Sequence, residues 1–229
     1  MNNIAQLIDH TNLKPDASES DIKKLCEETV EHGFLSACVS PVHVPLAASF
    51  LKEKKPKVCT VIGFPLGADS AEMKFAEARF LIHQGAEELD MVLNIGALKE
   101  GNIDIIQREI GQVVNAADGN CVKVIIETCL LSTDEKVLAC TLAQNSGADF
   151  VKTSTGFSSA GAIVEDVKIM RETVGDEMGI KASGGIKTAA DVKAMVDAGA
   201  NRIGTSSSIS IIHEGTNDLK ARNRTGTGD

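Results

Sequence analysis

Two lysines in apolar surroundings are the residues of this sequence that most need a chemical explanation. Lys152 lies in ADFVKTSTGF and Lys181 in GIKASGGI, and both segments are typical of buried strands. A buried, unpaired ammonium group is costly unless its charge is lost or compensated. One interpretation is structural, with each lysine paired to a carboxylate such as Asp90 or Glu127. The other is that the lysines perform chemistry.

The spacing of the two lysines favours chemistry. They are 29 residues apart, about one repeat of the chain, which predicts that they lie on neighbouring strands roughly 4.8 Å apart. Two ammonium groups at that distance disfavour double protonation, so one amine is expected to be neutral near neutral pH. A neutral amine can attack a carbonyl group and form a Schiff base. Asp90, at the predicted end of the fourth strand, could move a proton at the adjacent carbon. This combination predicts a metal-free aldolase, although spacing alone does not decide which lysine attacks.

Small residues in two later loops predict a phosphate site. Gly184 and Gly185 follow the seventh predicted strand, while Gly204, Ser206 and Ser207 end or follow the eighth. Barrel enzymes often bind phosphate at these two loops, through backbone N–H groups and a helix N-terminus. Glycine lets the backbone approach the anion closely. Two ordinary turns are the alternative, and barrel isomerases and flavin enzymes share the motif.

Three further residues are candidate substrate contacts. Thr155, in the STG segment after Lys152, could donate a hydrogen bond to phosphate. Asp9 either lines the mouth of the site or caps the following turn. Cys38 falls at a strand end, although packing is its simpler role because no histidine occupies a neighbouring strand end. Histidines and carboxylates show no metal-ligand spacing, so neither a metal nor a cofactor is predicted.

The elements that must position these residues repeat along the chain. An order of helix, glycine and apolar strand recurs at Gly33, Gly85, Gly147 and Gly199, separated by 52, 62 and 52 residues, or two units each. Several strands are continuous aliphatic runs, as expected for a parallel sheet buried on both faces. The predicted strands are Gln6–Asp9, Ala37–Val39, Val58–Ile62, Leu89–Leu93, Val122–Glu127, Phe150–Lys152, Ile180–Ala182 and Arg202–Gly204. Amphipathic stretches such as Ser18–Glu31, Ala71–His83 and Ala189–Val196 predict the intervening helices.

Eight strands alternating with helices predict a single α/β domain, a parallel eight-stranded (β/α)8 TIM barrel over residues 1–212, followed by a polar tail over 213–229. A doubly wound sheet is the competing fold. Its usual G-x-G-x-x-G after the first strand is absent from this sequence.

Composition excludes several classes of partner. The 23 basic and 32 acidic residues give a net charge of −9, which opposes binding to nucleic acid or anionic membranes. No apolar run reaches the length of about 18 residues needed to span a bilayer, and no signal peptide is read at the N-terminus. Six cysteines without a C-x-x-C pair suit free thiols in a reducing compartment. A cytoplasmic protein is therefore predicted.

Eight segments together resemble the deoxyribose-phosphate aldolase family, over residues 8 to about 212. The resemblance implies a (β/α)8 barrel that reversibly cleaves 2-deoxy-D-ribose 5-phosphate, a small phosphorylated sugar, in deoxyribonucleoside catabolism. It implies no cofactor and a homodimer or homotetramer. By the same resemblance, Lys152 corresponds to the Schiff-base lysine, Lys181 to the lysine that lowers its pKa, and Asp90 to the proton-relay acid acting with a water. The loops at Gly184-Gly185 and Ser206-Ser207 correspond to the phosphate cradle. The segments are IDHTNLKPDAS, SACVSPVHVPLA, VIGFPLG, ELDMVLNIGALKEG, KVIIETCLL, GADFVKTSTGF, GIKASGGIKT and RIGTSS.

The sequence departs from some members of this family at two places. Phe157 follows TSTG where some members carry a lysine close to the phosphate, and the chain contains no tyrosine, whereas some members end in one. Two rival functions remain. One is a barrel isomerase or flavin enzyme, and the other is a phosphometabolite-binding protein without catalysis.

Overall fold

The computed structural model describes residues 4–215, in which eight parallel strands close into a barrel in sequence order, with β8 paired to β1. The predicted single (β/α)8 barrel is confirmed. The strands are β1 (Ile8–Asn12), β2 (Ser36–Val39), β3 (Lys57–Ile62), β4 (Glu88–Val92), β5 (Cys121–Ile125), β6 (Phe150–Lys152), β7 (Gly179–Ser183) and β8 (Arg202–Thr205). The helices are α1 (Glu19–His32), α2 (Val44–Leu51), α3 (Ala71–His83), α4 (Ile95–Lys99), α5 (Ile103–Ala116), α6 (Thr133–Asn145), α7 (Val164–Val174) and α8 (Ala189–Asp197).

Two predicted strands are wrong by two or more residues at an end. Gln6 and Leu7 belong to a short 3-10 helix, so β1 begins at Ile8, Asp9 is its second residue, and the strand continues to Asn12. At the other end, β5 stops at Ile125, and Glu127 has a left-handed backbone with a φ of 53°. Apolar runs mark a buried strand but not the residue at which pairing begins or ends.

The helices begin where side chains can satisfy their first N–H groups. Ser18 caps α1 in a capping box with Asp21, and Gly33 ends the helix with a left-handed φ of 66°. Ile22, Leu25 and the rest of the inner face of α1 are buried against the barrel. A final helix, over 208–215, follows β8. The predicted tail over 213–229 begins within this helix, and residues 216–229 lie outside the described range.

The barrel interior carries charge where an aliphatic filling is usual. Asp9, Asp90, Lys123 and Lys181 have no exposed surface, although they lie on four different strands. Asp90 is the middle residue of β4 and not its end as predicted. These side chains therefore form a polar layer inside the barrel, below its mouth. Across residues 4–215, no helix is long and apolar enough to cross a membrane.

Candidate active site

The two lysines lie side by side, and their amines meet at one oxygen atom. Lys152 on β6 pairs in register with Lys181 on β7. Both side chains are buried, with 3% and 0% of the residue exposed. The Nζ atoms lie 2.8 Å and 2.7 Å from the same atom, Oδ2 of Asp90. The two ammonium groups are therefore neighbours, as their spacing in the sequence predicts.

Carboxylates hold the charge of Lys181 in place. Its Nζ lies 2.5 Å from Oδ2 of Asp9 as well as near Asp90. Burial alone would lower the pKa of Lys181, but the charges of Asp9 and Asp90 outweigh it and raise that pKa well above its ordinary value. Lys181 is thus a fixed positive charge beside Lys152. Both lysines are therefore paired with Asp90, one of the two carboxylates that the sequence offered as partners.

Two further basic residues complete a buried ion-pair cluster, and neither is among the candidates predicted from the sequence. Lys123 Nζ lies 2.7 Å from Glu88 and 2.9 Å from Asp90. Arg202 Nη1 lies 2.6 Å from Asp9 and 3.0 Å from Glu88. The cluster consists of Asp9, Glu88, Asp90, Lys123, Lys152, Lys181 and Arg202.

The charges of this cluster do not balance. The cluster contains four basic side chains and three carboxylates. Within residues 4–215, Lys152 forms an ion pair with one carboxylate, whereas each of the other three basic side chains pairs with two. Burial would raise the pKa of Asp90, but Lys123, Lys152 and Lys181 hold it well below its usual range. The pKa of Asp9 is likewise low, since Lys181, Lys123 and Arg202 outweigh its burial.

A signal for the missed cations exists in the sequence. Lys123 interrupts the aliphatic run VKVII, and it pairs in register with Asp90. Arg202 is the charged residue within ANRIG, and Glu88 is the charged residue directly before LDMV. Each is a charged residue at an inward-facing strand position, the same feature that identifies Lys152 and Lys181.

Cys38 is part of the wall around this cluster. It pairs in register with Cys59 and is fully buried. A hydrogen bond with Cys59 lowers the pKa of the Cys38 thiol, and burial opposes the shift. Cys59 in turn donates to Asp90 over 3.4 Å. Cys38 and Asp9 therefore lie beneath the site's open cavity and are absent from its lining.

Two groups of buried thiols and carboxylates have a spacing that could hold a metal ion, with donor atoms within 4.8 Å of one another. Every carboxylate in these groups also forms an ion pair with a buried ammonium or guanidinium group. Positive charge therefore already surrounds the oxygens that a metal would use. The groups are Cys38, Cys59 and Asp90, and Asp9, Cys59 and Glu88.

Lys152 opens into a cavity of about 420 Å³ at the carboxyl ends of the strands. Gly184 and Gly185 both have left-handed φ values, 83° and 79°, that glycine adopts without strain. The N–H of Ser207 donates to Thr205 Oγ1 over 3.0 Å at the start of the final helix. The sequence-predicted residues that line the cavity are Lys152, Thr155, Gly184, Gly185, Gly204, Ser206 and Ser207.

Thr155 lies in the cavity, but its donors point away from it. Both its hydroxyl and its N–H donate to the carboxylate of Glu127, and its Oγ1 accepts from the N–H of Phe157. Glu127 is only 3% exposed. These bonds give Thr155 the role of fixing the loop after β6, where the sequence predicts a phosphate donor.

Lysines, carboxylates and an exposed phenylalanine all line the cavity. Lys14, Lys24 and Lys187 lie there together with Asp21 and Glu28, and none of these three lysines is a candidate on the sequence alone. Phe157 is 53% exposed and packs edge-on against Phe64, with ring centroids 5.2 Å apart. A phosphate group would therefore find lysines near the loops after β1 and β7, although Phe157 offers none.

Known proteins resemble this chain over nearly its whole length. Deoxyribose-phosphate aldolases from Thermoanaerobacter and Thermococcus gammatolerans are 56% and 57% identical, over 215 and 218 residues. Each alignment covers 93% of this chain, and 96% and 97% of the relatives.

Solved structures of proteins with the same name are also similar to this chain. A putative deoxyribose-phosphate aldolase from Coccidioides immitis superposes with a TM-score of 0.91 at 42% identity, covering 93% of this chain and 86% of that one. The deoxyribose phosphate aldolase from Aeropyrum pernix, described as a unique tetramer, gives 0.87 at 35% identity, covering 93% and 91%. The profile of the DeoC/LacD family aldolases matches residues 3–213. With 211 of its residues matched, this chain belongs to the DeoC/LacD family of aldolases.

Proposed function

We propose that this protein is a Schiff-base aldolase that reversibly cleaves 2-deoxy-D-ribose 5-phosphate to acetaldehyde and D-glyceraldehyde 3-phosphate. Family membership supports the reaction class, and the names of the relatives support the substrate. The observation that carries the proposal is the convergence of Lys152 and Lys181 on Asp90 at the base of a cavity with glycine and serine loops.

Lys152 is the proposed nucleophile. It lines the cavity, and it has one carboxylate partner, whereas Lys181 has two. Its neutral amine would attack C1 of the open-chain sugar, and loss of water would give an iminium ion. The C2–C3 bond then breaks, with its electron pair moving toward the iminium and a proton leaving the C3 hydroxyl. Glyceraldehyde 3-phosphate departs, and the enamine left on Lys152 takes a proton at C2 before hydrolysis releases acetaldehyde.

Asp90 and Lys181 are proposed to serve this sequence in different ways. Lys181, held protonated by Asp9 and Asp90, supplies a positive charge that disfavours a second ammonium at Lys152. Asp90 touches both amines and is ionised in the free protein, so it can accept a proton through a water and then return it to the carbon or oxygen atoms of the substrate. Asp9 acts on Lys181 and is a positioning residue.

The loops after β7 and β8 are proposed to hold the phosphate. Gly185 leaves room for an anion near backbone N–H groups, because an added Cβ there would meet no atom within 4 Å. Gly184 and Gly204 line the same cavity, and Ser206 and Ser207 precede the final helix. Cavity lysines would add positive charge on the same side, which offsets the absence of a lysine at position 157.

Assembly and location are part of the proposal. A homodimer or homotetramer is supported by the relative that is described as a tetramer. Light scattering of the purified protein tests this, and a monomer at micromolar concentration would contradict it. Free thiols throughout residues 4–215 favour the cytoplasm, where deoxyribonucleosides are catabolised.

The test of the proposed function is release of acetaldehyde from 2-deoxy-D-ribose 5-phosphate, followed by coupling to alcohol dehydrogenase and NADH. Lys152→Met should lower kcat by about a thousandfold or more, because no other side chain can form the iminium there. Lys193→Met, which changes an exposed lysine on α8, is the matched control. Tight sugar-phosphate binding without acetaldehyde release would favour a binding protein, and bound flavin would favour the other rival.

A further inference from the structure

A chain of three side chains, two of them buried and one half-buried, connects α1 to the proposed phosphate loop, and the proposed reaction does not use it. His10 on β1 is 4% exposed, and its Nε2 lies 2.8 Å from Oε2 of Glu28 on α1. Its Nδ1 lies 2.9 Å from Oγ of Ser208. Ser208 has no exposed surface and begins the final helix, directly after Ser206 and Ser207. His10 also lines the cavity.

These partners allow two arrangements of the protons. An ionised Glu28 only accepts, so Nε2 of His10 must carry a hydrogen in either arrangement. In the neutral ring, Nδ1 accepts from the Ser208 hydroxyl. In the imidazolium ring, Nδ1 donates to Ser208 Oγ, and the hydroxyl hydrogen turns to the carbonyl oxygen of Thr205, 3.2 Å away. One proton gained by His10 thus reverses the bond at the start of the helix and adds a positive charge beside the loop.

The surroundings of His10 set the pH at which this change occurs. Burial lowers the pKa of His10 from its ordinary value, and the hydrogen bond and charge of Glu28 oppose that shift. The Phe34 ring covers one side at 5.1 Å between ring centroids. Asp9, the preceding residue on β1, points into the ion-pair cluster instead. The other charged or titratable groups near His10, or in its cavity, are Lys24, His32, His213, Lys14, Asp21, Lys152 and Lys187.

We propose that His10 is a positioning residue that links proton uptake to oxyanion binding at the loop formed by residues 204–207. The imidazolium form favours the bound anion through its positive charge. By linkage, a bound anion favours the imidazolium form to the same extent. The inference rests on the proposed phosphate site, but it concerns binding and not the carbon–carbon chemistry.

Calorimetric titration with inorganic sulfate tests the link without requiring turnover. Sulfate stays a dianion from pH 5.5 to 8.5, so any change in its affinity belongs to the protein. At constant ionic strength, the wild-type Kd should be about fivefold lower at pH 5.5 than at pH 8.5, the size expected for one added positive charge close to an anion in a water-filled cavity. His10→Gln keeps a donor for Glu28 and cannot titrate, so its Kd should not follow pH.

Three further variants locate the effect. Glu28→Gln keeps the hydrogen bond and removes a charge, so the rise in affinity should move to lower pH. His32→Gln and His83→Gln should both keep the wild-type slope, since one lies beyond Phe34 and the other ends α3 outside the cavity. A slope that survives in His10→Gln, or disappears in His32→Gln, overturns the inference.

A measurement on the wild-type protein remains if His10→Gln fails to fold. NMR titration of the five histidines, assigned by substituting the other four, should show that saturating sulfate raises the pKa of His10 more than that of any other histidine. An unchanged His10 pKa contradicts the inference. If sulfate behaves as expected but no acetaldehyde is released, the proposed function fails and the binding inference stands.

Discussion

Among the single residues, Lys181 owes its role to the charged groups beside it. It is a cation fixed by two carboxylates and adjacent to the amine of Lys152. A like charge at this distance opposes protonation of its neighbour, which is the physical requirement for a nucleophilic lysine.

Lys181→Met should therefore lower kcat/KM by about a hundredfold or more at pH 7 and move the activity profile to higher pH. Without Lys181, Asp90 shares its charge between Lys152 and Lys123 alone, which favours the protonated amine at Lys152. The measurement is kcat/KM from pH 6 to 10, with Lys193→Met as the control. An unshifted profile with wild-type rates would rule out the paired-ammonium mechanism.

The sequence was sufficient to predict the two lysines, and it was insufficient to predict their partners. Lys152 and Lys181 stand one repeat apart in apolar strands, so their proximity follows from the period of the fold. Asp90 lies in the middle of β4 and not at its end. Lys123 stands within an aliphatic run, which by itself predicts only a buried strand. In a strand that is buried on both faces, the residues facing the barrel interior and those facing the helices are both apolar in the sequence. The sequence pattern therefore does not show whether a charged side chain points into the barrel or toward the helices.

At the scale of elements, one buried ion pair joins two neighbouring helices on the outside of the barrel. Lys74 of α3 is fully buried and lies 2.8 Å from Glu109 of α5. Its amine also donates to the carbonyl oxygens of Gly67, in the loop before α3, and of Val92, the last residue of β4. The sequence predicts α3 as an amphipathic helix, but helical periodicity does not reveal a salt bridge on its buried face.

Glu109→Ala should lower the free energy of unfolding by about 3–5 kcal/mol, since it leaves the ammonium of Lys74 buried without its carboxylate. Urea denaturation measures the change. The control is Glu72→Ala, which removes an exposed pair to Arg108 between the same two helices, 3.6 Å apart, and should change stability by about 0.5 kcal/mol or less. Equal effects of the two substitutions would contradict the role assigned to burial.

At the scale of the whole molecule, closure of the barrel is what concentrates charge at its centre. Seven charged side chains from strands that are distant in the sequence meet inside one parallel cylinder. The repeat of helix, glycine and strand was enough to predict eight strands and their order. The charge balance of the interior was not predictable, because it depends on how far each side chain reaches across the barrel.

This interior should make the protein sensitive to acid. The pKa values of Asp9 and Asp90 are lower in the folded protein than in the unfolded chain, so the unfolded chain binds more protons. Their contribution to stability is present above the unfolded pKa, about 3.9, and is lost as pH falls below it. The free energy of unfolding, measured in urea from pH 7 to pH 3, should fall most steeply below about pH 4.5. Asp9→Asn should flatten this slope and Asp176→Asn, at an exposed position, should not; equal slopes would contradict the account.

The most direct test of the central claim is borohydride reduction in the presence of isotope-labelled acetaldehyde, followed by peptide mapping. The buried cluster contains three lysines, and the position of the label among the peptides shows which of them reacts. We expect a stable two-carbon adduct on Lys152, and none on Lys123 or Lys181, because carboxylates hold both of those as ammonium ions. A label on either of the other two lysines, or no label at all, would contradict the mechanism.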